Sequence, residues 1–168
     1  RTIVHLERQR EYALDQLLSL VNRGIAGDLA VDRFATACIF AYDPRERRFL
    51  FANGGHHPAL LLRSREKDFQ ELDTPGIPVG IEEETVYKQT SALLAPSDLV
   101  ILYTDGIIEA ENPQGERFRD RRLREAVLRY RNESAEDIVS GVVREVARFV
   151  DGAPQHDDQT LIVLKATE

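Results

Sequence analysis

The sequence contains no methionine, only one cysteine (Cys38), and no apolar run long enough to cross a bilayer. A single cysteine excludes an internal disulfide, so a reducing compartment, the cytoplasm, is expected. The chain opens without the basic-then-apolar pattern of a signal peptide, and nothing in this segment is expected to enter a membrane. Positive charge is also short. The 22 Lys and Arg stand against 29 Asp and Glu, and a net charge of −7 argues against nucleic acid as the main partner. With no methionine and Arg1 in first place, the chain is expected to be a piece of a longer protein.

What is present is an ordinary globular composition, 42% hydrophobic and 30% charged, over 168 residues. That length suits one domain with a real core. Its most informative stretch is Ser97-Asp98-Leu99-Val100-Ile101-Leu102-Tyr103-Thr104-Asp105-Gly106. Leu99 to Leu102 reads as a buried strand that delivers Asp105 to the rim of a sheet, with Gly106 allowing a sharp turn. An Asp held there is placed to bind a hard cation, although Asp-Gly also simply makes turns.

Thr2 to about Asn22 reads as a helix, with Leu14, Leu17, Leu18 and Val21 on one apolar face and Gly24 just past its end. An a/d pattern through Ile3, Leu6, Arg10, Ala13, Leu17 and Leu20 is short and broken by Arg10, so an independent coiled coil is not favoured. A β region follows over 34–104. Phe34–Tyr42 and Phe49–Asn53 flank the turn Asp43-Pro44-Arg45-Glu46, strands are expected at Ala59–Arg63 and Phe69–Leu72, and Thr85–Ser91 leads into the central strand. Two helices are expected within 119–150, the first with the stripe Leu123, Ala126, Val127 and Tyr130, the second capped by Ser134. A strand over 159–165 closes the chain, and strands segregated from helices point to α+β. Glu116 to Arg131 holds seven arginines against three carboxylates, which suits either a solvated face or a dock for an acidic partner. On either reading Arg121, Arg122, Arg124 and Arg129 are not expected to be needed for packing.

The second informative stretch is Gln155-His156-Asp157-Asp158-Gln159-Thr160. Two adjacent acids at the start of a buried strand are costly unless a cation lies against them, and only one can point inward. Antiparallel pairing of the two strands would bring Asp105 and Asp157 to one edge. Oxygen-only ligands of this kind suit Mg²⁺ or Mn²⁺ better than zinc, and His156 reads as a solvated side chain.

Five blocks occur in order: Phe34-Ala35-Thr36-Ala37, Asn53-Gly54-Gly55-His56-His57-Pro58, Gly76-Ile77-Pro78-Val79-Gly80, Tyr103-Thr104-Asp105-Gly106-Ile107-Ile108-Glu109-Ala110 and Asp157-Asp158-Gln159-Thr160. Together the chain resembles the metal-dependent serine/threonine phosphatases of the PPM superfamily, in the SpoIIE-like branch that controls stress and sporulation sigma factors. The resemblance implies an antiparallel β-sandwich flanked by helices, with 1–168 forming one partial domain (helix 1–23, β region 34–104, helices 119–150, terminal strand 159–165). It implies Asp105 and Asp157 as metal ligands, Gly106 and Asp158 in supporting roles, and two Mn²⁺ or Mg²⁺ ions that activate a bridging water for in-line attack. His56 is read as a structural loop histidine, and no substrate-binding residue is assigned.

The family's earlier ligands lie in a Gly-Asp-x-x-Asp strand end and an Asp-x-x-Gly-His-Gly turn, and neither motif occurs here. Gly27-Asp28 followed by Asp32 has the wrong spacing and falls too late in the order. The N-terminal strands and half of the metal site are therefore expected to be missing, and these 168 residues alone to turn over little. Implied partners are a phosphorylated regulatory protein of the anti-sigma-factor-antagonist type, with a homodimer left open. The alternative is a non-catalytic phosphatase-like domain that binds a signalling partner.

Overall fold

In the computed structural model, residues 13–26 and 34–167 are described. The elements run α1 (Leu14–Ala26), β1 (Ala37–Asp43), β2 (Arg48–Gly54), β3 (Ala59–Leu62), β4 (Phe69–Leu72), β5 (Gln89–Leu93), β6 (Leu99–Tyr103), α2 (Asp105–Ile108), α3 (Arg119–Tyr130), α4 (Ala135–Val150) and β7 (Leu161–Lys165). Among the described residues, the strands form two antiparallel sheets, ordered β1-β2-β5 and β4-β3-β6-β7.

Period-two alternation sorts the side chains into four layers. Phe49 and Phe51 of β2 meet Leu61 of β3 and Val100 and Leu102 of β6 between the two sheets. The opposite face of β2, with Leu50 and Ala52, packs under Leu14 and Leu18 of α1. On the far side, Leu60, Leu62, Leu99, Ile101 and Tyr103 pack against Leu123 and Val127 of α3 and Ile138 and Val142 of α4. β6 is covered on both faces and every residue of it is buried, hence the unbroken apolar run.

Several boundaries differ from expectation. The expected first helix lies outside the described residues up to position 12, and α1 runs through Gly24 to Ala26 because Ile25 packs against the α1–sheet core. β1 begins at Ala37 rather than Phe34, since Ala35 is bridged to Val79 on another loop. In the stretch that leads to the central strand, a strand not assigned from sequence, β5, forms from Gln89. The Tyr87 amide points to Ser19 Oγ and its hydroxyl donates to the Ile77 carbonyl, so this stretch is committed to α1 and a loop. The turn after β1 forms as expected, with Asp43 Oδ1 accepting from the amides of Arg45 and Glu46. Ser134 Oγ accepts from the Asp137 amide and starts α4, and Asp151 ends that helix in the left-handed region.

Arg122 and Arg124 of α3 correct a further expectation. Arg124 binds Asp120 and Glu71 and lies over the Phe69 ring. Arg122 lies over Phe149 and donates to the carbonyls of Arg117 and Phe118, and Arg129 pairs with Glu145. Arg131 binds the carbonyls of Arg63, Ser64 and Glu66. Arg121 makes a surface pair with Glu125. Arg124 and Arg131 thus tie the helical layer to the sheet and Arg122 ties α3 to α4, whereas Arg121 and Arg129 stand largely in solvent, as expected.

Candidate functional site

β6 and β7 pair antiparallel with Tyr103 opposite Leu161, so the end of one strand and the entry to the other share an edge. Beyond that register, Thr104 locks the two segments. Its amide donates to the Thr160 carbonyl (3.1 Å), its Oγ1 accepts from the Thr160 amide (2.9 Å), and the same hydroxyl donates to the Asp158 carbonyl (3.0 Å). The Asp158 carbonyl also lies over Gly106, where an added Cβ would fall 2.4 Å from its oxygen. Only glycine allows this approach.

The lock brings Asp105, first residue of α2, to the same edge as Asp157, and both side chains are exposed. Asp105 Oδ1 accepts from the Gly106 amide, and Asp157 Oδ1 accepts from the Asp158 amide. Asp158 thus acts in this geometry through its backbone. His156 is exposed in the loop before β7. Asp28 and Asp32 lie outside the described residues. Among the described residues, no group of three or more His, Cys, Asp or Glu side chains is gathered as a metal cage. Two exposed carboxylates are hard oxygen donors, and they fit a divalent cation as part of a larger ligand set.

Sequence reasoning missed what stands beside Asp105. Asn53 folds its loop back on itself: its Oδ1 accepts from the His56 amide, and its Nδ2 donates to the His56 carbonyl and to Asp73. Gly55, at φ +75°, completes the bend against Pro78. The His56 imidazole then lies 3.4 Å from Thr36 Oγ1, bonded to the Tyr103 backbone and within electrostatic reach of Asp105. Burial, with His57 beside it, lowers its pKa below the usual value, and Asp105 and the Tyr103 bond oppose that only partly. His57 stacks on Tyr103, whose hydroxyl donates to Asp120. The Asn-Gly-Gly run was the available signal that this loop is held in one shape.

A cleft of about 340 Å³ opens at Gly106 and Asp157, floored by the C-terminal half of α4. Glu109 stands at its mouth, paired with Arg117.

The family model described as Stage II sporulation protein E (SpoIIE) matches residues 1–167. The chain is similar to phosphoserine phosphatase RsbU of Bacillus subtilis, 28% identical over 151 residues that cover 89% of this chain and 44% of RsbU. It is also similar to protein IcfG of Synechocystis, 32% identical over 139 residues that cover 82% of this chain and 21% of IcfG. It therefore spans less than half the length of both curated relatives. Among solved structures, the SiaA PP2C domain of Pseudomonas aeruginosa superposes with a TM-score of 0.78 at 22% identity, over 90% of this chain and 60% of that one. The SpoIIE phosphatase domain of Bacillus subtilis gives 0.64 at 19% identity, over 99% and 76%. At these identities the structural likeness establishes the fold.

Proposed function

The chain belongs to the SpoIIE family, with the fold of PPM-type phosphatases, and from that premise we propose that the intact protein hydrolyses phosphoserine or phosphothreonine on a regulatory protein. The substrate is of the anti-sigma-factor-antagonist type. The observation that carries this reading is the Thr104 lock, which holds two exposed carboxylates at one sheet edge over a backbone approach only glycine permits.

In this reading Asp105 and Asp157 hold Mn²⁺ or Mg²⁺, two ions in the intact domain. When bound, such ions neutralise phosphate oxygens and make water nucleophilic near neutral pH. The protein's own contribution is positional. Thr104 fixes the spacing of the two segments, Gly106 lets them touch, and the Asp158 amide orients the Asp157 carboxylate. His56, whose pKa burial lowers from the usual value, stands beside Asp105. Two carboxylates are fewer donors than a hard divalent ion takes, so the ligand set is completed from outside this pair.

The test is hydrolysis of p-nitrophenyl phosphate by the intact protein, titrated with Mn²⁺ and Mg²⁺. Activity is expected only with added metal. Asp105→Asn and Asp157→Asn are each expected to raise the metal requirement while leaving the fold intact, because both side chains are exposed. Turnover that survives exhaustive chelation overturns the reading, and an unchanged rate at limiting metal removes that residue from the ligand set.

A further inference from the structure

The cleft beside Asp157 has the shape and lining of a recognition subsite. Its floor is Val146, Ala147 and Val150 of α4, and its far wall is the segment 152–157. That wall stands where it does because Asp151 and Gly152 both take positive φ and turn the chain back over the helix end. Val143, 51% exposed, lies on the ridge between this cleft and an adjoining groove of about 220 Å³, which runs toward Thr160 and Leu161. An aliphatic side chain on open helix surface, between two concavities and leading to the candidate metal edge, is unexplained by packing within the described residues.

The rim has a sign. Glu109 and Glu111 both pair with the single guanidinium of Arg117, at 2.6 and 3.5 Å, and Asp157 stands at the inner end. Two carboxylates sharing one arginine leave a net negative rim, which repels an acidic chain segment and attracts a basic one.

We propose that this cleft receives the segment of a phosphoprotein substrate that flanks the phosphorylated residue, an aliphatic side chain entering against Val143 and Ala147 and basic side chains lying at the Glu109–Glu111 rim. The proposal rests on the phosphatase reading above. It assigns substrate choice to Val143, Ala147, Glu109 and Glu111, which take no part in holding metal in that reading. A small phosphomonoester reaches the edge without touching the cleft, whereas a phosphopeptide lies across it.

The experiment compares two phosphoserine peptides on the intact protein, one with Leu and one with Asp two residues to either side of the phosphoserine. The parent is expected to favour the Leu peptide in kcat/KM by about tenfold, the scale set by apolar side-chain recognition. Val143→Glu and Ala147→Trp are expected to abolish that preference and leave p-nitrophenyl phosphate hydrolysis unchanged. Both positions are exposed, so neither change strikes the core. A parental preference below about twofold overturns the proposal, because apolar recognition would exceed it. A preference kept by both variants also overturns it. If the parent turns over no small ester with Mn²⁺, the phosphatase reading fails on its own. The cleft is then judged by fluorescence anisotropy of the labelled Leu peptide, whose binding Val143→Glu must weaken for the proposal to stand.

Discussion

Gly106→Ala adds one methyl group at a point where an ideal Cβ lies 2.4 Å from the Asp158 carbonyl oxygen and 2.9 Å from its carbon. Such contacts do not fall below 3.0 Å, so the oxygen must retreat by about 0.6 Å, and it belongs to backbone and not to a pliant side chain. A displacement of that size takes the 3.0 Å bond from Thr104 Oγ1 to about 3.6 Å, outside hydrogen-bond range. Losing one such bond costs about 1 kcal/mol, a fall in Tm of about 2–4 °C for a chain of this size. The larger effect is positional. Misplacing reacting groups by about 1 Å costs roughly a hundredfold in rate, so a shift of half that scale is expected to cost about tenfold. The assay is Mn²⁺-titrated p-nitrophenyl phosphate hydrolysis beside thermal unfolding. The control is Gly24→Ala, on α1, where an added Cβ meets nothing within 4 Å and stability is expected to rise by about 0.5–1 kcal/mol. Parental turnover and parental metal affinity in Gly106→Ala would refute the claim that this contact sets the spacing of the carboxylates.

Three further outcomes are expected. Asp98 is 1% exposed and accepts from Arg63 Nη1 and from the amides of Ser64 and Ala95, so Asp98→Ala is expected to cost about 2–4 kcal/mol in urea unfolding; a loss under about 1 kcal/mol would contradict it. Burial raises the Cys38 thiol from 9.0 to about 11, so a thiol reagent at pH 8 is expected to react about a hundredfold more slowly with native than with unfolded protein. A folded value above the unfolded one means full stability below pH 9.0 and progressive loss as pH rises toward about 11, and a flat stability profile across that window would contradict the assignment. Arg124→Ala, which loses two carboxylate partners and the Phe69 face, is expected to cost about 1–2 kcal/mol, while Arg121→Ala stays within about 0.5 kcal/mol. Equal effects would return α3 to a solvated surface.

The pairing of β6 with β7 was legible because a fully apolar run ending in Asp-Gly and another preceded by Asp-Asp are unusual as neighbours in a sheet. Thr104 was quoted within the same motif, yet its role was invisible. A threonine after a buried strand carries no mark of which carbonyl its hydroxyl will meet, and its partner stands 54 positions away. His56 illustrates the same limit: its own loop was readable as a tight turn, but its approach to Asp105 depends on how the β2–β3 connection is set against the end of β6. Arg122 and Arg124 of α3 were misread for a related reason. Periodicity reports the apolar stripe of a helix, whereas Phe69, Glu71 and Phe149, which receive those guanidinium groups, lie on other elements. Gly24 shows a local signal overridden from a distance, since a helix-stop residue is carried through by the packing of Ile25.

The Thr104 lock also bears on how the chain acquires its shape in time. Between Thr104 and Asp158 lie α2, α3 and α4, so the bond closes a loop of 54 positions at an entropic cost of about 3.5 kcal/mol beyond the constant term. Closing contacts of that span slows folding, because the entropy is lost before the contacts repay it. A chain still emerging from synthesis presents Asp105 well before Asp157 exists, so it offers a cation one carboxylate and not two. Anything held between these two strand ends therefore gathers only on the finished fold. It lengthens the lifetime of the native state by slowing escape from it, and it gives the folding step itself no assistance.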